Sequence, residues 1–455
     1  MHAVSNGLNP TERRAAFTLA SVYGLRMFGL FLIMPVLAIY GQHLDGFSPM
    51  WVGLAIGGYG LTQALLQIPA GMLSDKYGRK PVITVGLILF IIGSLVAATA
   101  DSIQMVTVGR ALQGMGAVAS AVLALASDLT REEQRPKVMA VIGSFIGLSF
   151  AISLVAGPTL ASSMGLSGLF YLTAVLASAA LLVVHGLVPN AVRQAPTGDV
   201  VAVPTRFLKM LKNPQLLRLD ISIFALHFIM CALFVALPIA VVDSGLAATS
   251  HWKLYLPALL LSFVLMAPMI IFSVRKQDSR RPFLMAMLLL MGSMLMMASA
   301  HHNLWVLGAA TLVFFTGFNY LEASLPTLIS RLSPAGDKGS AMGIYSTSQF
   351  MGAFFGGSIG GGMYTMFGAE GVFLACAGLT LLWFMPMLGL KNPRSVKSIT
   401  MDAHIDSDAH AKTLASQLLA QPGVAEVTLI IEQQAAYLKV EEPFDIEQAR
   451  QLLAN

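Results

Sequence analysis

The apolar residues of this chain come in runs long enough to cross a lipid bilayer, and that length decides most of what the chain can become. A bilayer's hydrocarbon core is about 30 Å thick and takes roughly 20 helical residues to cross. Runs of this kind are read at 15–40, 50–72, 82–100, 103–126, 138–161 and 166–188, and again at 217–242, 252–274, 283–300, 304–329, 340–362 and 369–389. The expectation is an all-α membrane protein of about twelve spans in two halves of six, a count that close pairs such as 82–100 and 103–126 can shift by one. A β-barrel would alternate apolar and polar residues over segments of about ten, a pattern not read here. Composition agrees: 56 % of the 455 residues are hydrophobic and 11 % charged, against about 45–50 % and about 25 % in soluble domains. One soluble core cannot hide so much apolar surface, so lipid is the expected solvent.

Charge placement gives an orientation. Lys and Arg crowd onto alternate connections, those carrying Arg13, Lys76, Arg131, Arg206, Arg275 and Arg331 and the stretch up to Lys397, whereas the opposite loops hold Lys253. The positive-inside rule then puts both termini in the cytoplasm. The net charge of +5 follows from this topology, and no nucleic-acid partner is implied. Residues 1–14 are short and polar with no small-residue cleavage site, so no signal peptide is expected and the first span acts as an uncleaved insertion signal. Cys231 and Cys376 lie within apolar spans and are read as small core residues.

A polar, Pro-containing and basic connector at 189–216 separates a half at 1–188 from a half at 217–389. The halves resemble diverged copies: the loop from Asp128 before the fifth span and the loop from Ser330 before the eleventh each set acid and base ahead of a small-residue helix start. Parallel six-span repeats with a binding site between them at midplane are a transporter plan. After a linker at 390–397 the pattern changes. Ile399, Met401, Ala403 and Ile405 alternate with Thr400, Asp402 and His404 as in a half-buried strand. A helical pattern around Leu414 and Leu418 is closed by Pro422-Gly423, strands follow near 426–431 and 436–440, and Asp445 with Gln448 opens a last helix. This β-α-β-β-α order predicts a small ferredoxin-like cytoplasmic domain over 398–455.

The strongest motif is Gly71-Met-Leu-Ser-Asp75-Lys76-Tyr-Gly78-Arg79-Lys80. Gly71 lets another helix approach, Asp75 can meet the positive N-terminus of a facing helix, and Arg79 and Lys80 can pair with acids. In the fourth span Arg110-Ala-Leu-Gln113-Gly114-Met-Gly116 places an arginine at membrane depth, where a charge is functional or paired. The fifth span carries Gly143, Gly147 and Gly157-Pro158, followed by Ala161-Ser162.

The first motif resembles the loop signature of the major facilitator superfamily, and the second the RxxQGxG pattern of its proton-coupled members. The fifth span resembles the glycine-proline motif of its drug antiporters, with Ala161-Ser162 replacing a terminal Gly-Gly. The tail, the Pro334–Gly339 loop and Ser346-Thr-Ser-Gln349 extend the resemblance over the whole chain, to the YajR-type transporters of Gram-negative bacteria with their ferredoxin-like "YAM" domain. The resemblance implies an inner-membrane exporter whose loop signature locks the outward-open state. Asp75 would dock near Gly339 and Ser340 at the start of the eleventh span, Arg79 would pair with Asp128, and protonation of Asp75 would loosen the lock.

Few polar residues lie inside the spans: Arg26, Gln63, Gln67, His227, Asn319, Glu322 and Gln349. Apart from Glu322, taken as a proton-coupling carboxylate because it alone sits well inside a span, they are candidates to line a substrate cavity. Asp220 is set aside as near a helix end. In the tail, His404, Asp406, Asp408 and His410 could meet a metal, but strand and helix-cap roles explain them and no metal is expected. Neither is a cofactor: there is no Walker-type phosphate loop and no nucleophile–base spacing of an enzyme. The sequence therefore points to a secondary transporter, with protons, a small-molecule substrate and the bilayer as partners. A proton-coupled exporter leads, ahead of a metabolite symporter or uniporter, and ahead of a membrane-embedded sensor signalling through its tail.

Overall fold

The computed structural model describes residues 7–131, 134–191, 210–334, 337–392, 397–403, 405–431, 434–441 and 443–454. Helices dominate: α1 (Pro10–Ile33), a short α2 (Leu37–Tyr40), α3 (Pro49–Tyr77), α4 (Arg79–Ala98), α5 (Ile103–Met115), α6 (Ala119–Asp128) and α7 (Arg135–Gly186). The second half has α8 (Pro214–Asp243), α9 (Trp252–Lys276), α10 (Arg280–Ala300), α11 (Leu304–Leu332) and α12 (Lys338–Met387). Polar residues start them where the chain leaves the apolar layer. Asn9 and Glu12 cap α1 reciprocally, Ser48 caps α3 ahead of Pro49, Asn213 caps α8 ahead of Pro214, and Asn303 caps α11.

Among the described residues nine helices are long and apolar enough to cross a membrane. Two merged helical runs, together with α3, which is not among the nine, separate this count from the twelve sequence-derived spans. The expected spans 138–161 and 166–188 run together in α7, broken at Gly165 (φ 68°), and 340–362 and 369–389 run together in α12, broken at Gly368 (φ 64°). Those positive φ angles are cheap only for glycine. The first span ends early, at Ile33, and the fourth is interrupted between Met115 and Ala119. Helix α3 reaches Tyr77, so the first part of the 71–80 loop is its last turns, and Gly78 (φ 93°) turns the chain into α4. The outside is apolar: Leu182, Val264 and Leu382 are 75, 65 and 67 % exposed, the inverse of a water-facing surface.

The halves meet through α3 and α12. A Cβ on Gly57 would stand 2.6 Å from the Phe354 carbonyl, and Gly53 meets Gly357 more closely still. This approach runs along 49–60 and 350–361, at the helix ends far from the 71–80 loop. One apolar core cluster joins both halves there, through Ile33, Val52 and Ala161 with Phe234 and Tyr255, and continues within the second half to Leu216 and Leu390. At the loop face, residues such as Leu19, Leu87, Val122 and Ala177 form a core of the first half, against which Phe350 packs from the second.

The tail is an antiparallel sheet in the order β1-β3-β2, from β1 (Lys397–Asp402), β2 (Val424–Ile430) and β3 (Ala435–Val440), with helices α13 (Asp408–Leu419) and α14 (Ile446–Ala454). The expected first strand stops at Asp402; Ala403 and Ile405 are nonetheless buried, with Leu414, Leu418 and Leu438. Its Lys439 ammonium donates to the Arg331 carbonyl at the end of α11 (3.2 Å).

Candidate functional site

The loop signature is a cluster around one guanidinium. Arg79, at the start of α4, pairs with Asp75 one turn back on α3, donates to Ser74 Oγ (2.9 Å), and reaches Asp128 Oδ2 through Nε (3.0 Å). Gly78 sets this geometry, since its positive φ turns α4 back beside α3. Gly71 leaves room for Ser120 of α6, whose oxygen would lie 3.3 Å from a Cβ there. Lys80 donates to the Val188 carbonyl (2.8 Å), a carbonyl partner rather than an acid. Asp75 stands beyond the apolar span 50–72, and burial raises its carboxyl above the ordinary range against the pull of Arg79. Gly339 and Ser340, at the start of α12, are buried; the close α3–α12 packing lies several turns from Asp75, along 49–60. A second clamp, unseen in sequence, lies on the same face: Glu12 accepts from Arg131 Nε (2.8 Å) and Nη2 (3.0 Å).

Inside the first half two buried arginines, Arg26 and Arg110, pair with no carboxylate among the described residues. Arg26 donates through Nη2 to Tyr59 Oη (2.8 Å), Gln63 Oε1 (3.0 Å) and the Gly116 carbonyl (2.9 Å), and Gln63 donates on to Gln67 (2.6 Å). Its guanidinium lies over Phe90, 5.2 Å from the ring centre. Arg110 donates to the Ala55 carbonyl (3.2 Å) and Gln113 (2.8 Å), Gln113 donates to Ser94 (2.8 Å), and Arg110 lies 5.3 Å from the Tyr59 ring centre. The motif's Gly114 makes this possible, for a Cβ there would strike Thr62 and the Tyr59 carbonyl. Carbonyl and amide oxygens with aromatic faces thus hold both cations. Arg26, Gln63 and Gln67, expected to line a cavity, are at most 5 % exposed: they are packed inside the half. Tyr59 was missed in sequence, although it stands one turn before Gln63 on the same helix face.

The second half is its electrostatic opposite. Glu322 of α11 lies 4.0 Å from His227 Nε2 of α8. The Gln349 amide of α12 lies 2.8 Å from that nitrogen and 3.5 Å from Glu322 Oε1. Asn319 turns away from this group and donates to Ser262 of α9 (2.9 Å). The Glu322 side chain is 38 % exposed. Aromatic rings from both halves stand beside it: Phe318 is 6.2 Å from the His227 ring, and Phe150 of α7 is 6.1 Å from Phe315 and 6.3 Å from Phe318. The result is a half-open carboxyl beside amides and a wall of phenylalanines where the halves meet. In the fifth span Gly157 closes on the Leu32 carbonyl, whereas nothing lies within 4 Å of a Cβ on Gly143 or Gly147.

Among the described residues no group of three or more His, Cys, Asp and Glu could hold a metal. His404 lies outside them, while Ser407 caps α13 through the His410 backbone (3.2 Å).

The family model of the Major Facilitator Superfamily matches residues 19–276 and 258–431. The inner membrane transport protein YajR of Escherichia coli (strain K12) is 43 % identical over 446 residues, 97 % of this chain and 98 % of that one. The quinolone resistance protein NorA of Staphylococcus aureus (strain MRSA252) is 24 % identical over 75 % of this chain and 87 % of its own. The crystal structure of the human organic anion transporter MFSD10 superposes with a TM-score of 0.62, at 21 % identity, over 83 % of this chain and all of that one; it supports the fold alone.

Proposed function

The chain belongs to the Major Facilitator Superfamily, and we propose that within it the protein is a proton-coupled antiporter exporting small organic molecules by alternating access. It is a multi-pass inner-membrane transporter and no enzyme. On this proposal it crosses the membrane twelve times, α3 counting once and the broken helices α7 and α12 twice each, with both termini in the cytoplasm.

The observation that carries the proposal is Glu322. It is an ionisable group at membrane depth, partly exposed beside His227 and Gln349, and such groups mark substrate or proton pathways. The phenylalanines beside it suit an apolar organic molecule, and the likeness to a quinolone resistance protein favours the same class. Joined cores at the far face, with a separate first-half core at the loop face, fit a cavity closed to the outside and open to the cytoplasm. The Arg79 pairs with Asp75 and Asp128 are already made here, so the lock of the opposite state would be the docking of Asp75 at the start of α12, near Gly339 and Ser340.

Reconstitution in liposomes tests this, with a panel of lipophilic organic molecules and an imposed proton gradient. Gradient-driven export that disappears in Glu322→Gln is expected. Flux of the panel indifferent to the gradient would make the protein a facilitator, and uptake with protons a symporter; either defeats antiport.

A further inference from the structure

Gln349 of α12 touches both titratable side chains of the second-half site, and the chemistry of its amide limits what each can do. The amide nitrogen lies 2.8 Å from His227 Nε2 and 3.5 Å from Glu322 Oε1. Amide nitrogen only donates and carboxylate oxygen only accepts, so Glu322 fixes which end of the amide points into the pair. Its second hydrogen then meets His227, and the ring nitrogen there has to be the one without a proton. A neutral imidazole has one donor and one acceptor nitrogen, which puts the His227 proton on Nδ1.

The two oxygens of Glu322 are therefore unequal. Oε1 accepts from Gln349 whether the carboxyl is charged or protonated, because a carboxylic acid keeps acceptor capacity. Oε2 has no hydrogen-bond partner among the described residues, in a side chain 38 % exposed. His227 Nε2 stands 4.0 Å from it, within reach of an ion pair were that nitrogen to carry a proton, but Gln349 holds the nitrogen as an acceptor. The remaining titratable groups make no bond to the pair among the described residues. On α8, Asp220 lies about two turns toward the loop face and Cys231 about one turn the other way; on α12, Tyr345 lies about one turn toward the loop face. Of the elements against α8, α2 brings Tyr40, bonded to the Pro158 carbonyl, and α3 brings Tyr59, bonded to Gln63. The turn Ala248–Ser250 leads into His251, whose ring faces Tyr255 of α9. Against α11, α9 and α10 carry their charges at their ends, on Lys253, Arg275, Lys276, Arg280 and Arg281.

We propose that Gln349 is a positioning residue that reserves the site's proton for Glu322. Its amide holds His227 neutral with Nε2 occupied, so an entering proton adds to Glu322 Oε2, forming one O–H bond there and cancelling the carboxylate charge. The site then takes up one proton, and His227 serves as a fixed acceptor for the amide instead of a second titrating group. This role rests on Glu322 being the coupling carboxylate.

The full chain, carrying isotope-labelled histidine, is reconstituted in liposomes and its ring nitrogens are read by solid-state magnetic resonance. The His227 signals are those that vanish in His227→Asn. One protonated Nδ1 and one bare Nε2 are expected from about pH 5 to about pH 8, the window in which an unheld histidine changes charge. Gln349→Met keeps the length of the side chain but cannot donate. It should lose the bare-nitrogen signal in the lower half of that window, as His227 takes a second proton and pairs with Glu322. The signal should return in the double variant Gln349→Met/Glu322→Gln, which a packing defect at position 349 would not produce. A proton on Nε2 of the unmodified protein overturns the proposal, as does a bare nitrogen that survives across the whole window in Gln349→Met. No transported molecule enters these spectra, so the two failures differ: gradient-driven flux that survives Glu322→Gln overturns the coupling role while the spectra stay as expected.

Discussion

The two halves share a helical plan but handle buried charge in opposite ways. In the first, Arg26 and Arg110 are at most 2 % exposed and are held by carbonyl and amide oxygens and aromatic faces. In the second, Glu322 is 38 % exposed and Asp220 buried, each with an oxygen lacking a partner among the described residues, as Arg26 Nε and Nη1 do in the first. A guanidinium presents five donors in a fixed fork and stays charged, so it can bind a bundle together permanently. A carboxyl can change its charge by taking a proton, so a carboxyl left unmatched is a group that can work. The difference suggests one half as framework and the other as titrating element.

The largest effect should come from Glu322→Gln: gradient-driven flux falls by about a hundredfold or more, while the melting temperature in detergent stays within a few degrees. A large loss of stability instead would make Glu322 framework too and erase the contrast. Next, Gly57→Leu forces a side chain into the Phe354 backbone. Overpacking of this kind costs about 1–3 kcal/mol, and crosslinks between cysteines placed at the far ends of α3 and α12 should weaken in step with transport.

Arg26→Met tests the framework side, leaving the Gly116 carbonyl, Tyr59 and Gln63 short of a donor. A destabilisation of about 1–3 kcal/mol is expected, read as a lower melting temperature with the proton dependence of residual flux unchanged. A stable variant with altered proton dependence would move Arg26 to the working side. The smallest effect is that of pH at the loop. The raised Asp75 carboxyl is neutral below its folded pKa and charged above it, so the weight of its pairing with Arg79 grows as pH rises through that value. Distances measured between spin labels on α3 and α12 at the loop face should shift by a few-fold in population across that window, about 1 kcal/mol, and Asp75→Asn should flatten the response.

How far the sequence reaches can be judged residue by residue. Long apolar runs, their grouping around 189–216 and the alternating tail follow from local chemistry, because span length and strand period are properties of neighbours along the chain. The motif around Arg79 was equally open to reading, since Ser74, Asp75 and Arg79 lie within one loop and its flanking turns. Where Gly165 and Gly368 keep two crossings in one helical run was not, because a single residue's φ decides it. Nor did local pattern disclose that Gln63 and Gln67 are buried among side chains of the first half, or that Asp220, set aside as near a helix end, is buried.

By itself, then, the sequence determined a membrane-embedded transporter with a small tail of strands and helices and the chemistry of its loop signature. Tertiary structure decided which polar groups have partners. Arg26 meets three acceptors drawn from α3 and the break before α6, all through Nη2, while Nε and Nη1 have no hydrogen-bond partner among the described residues; Glu322 meets His227 and Gln349 from two other helices. Whether a buried charge is matched depends on what other helices bring within about 3 Å of it, and no periodicity along one helix contains that information.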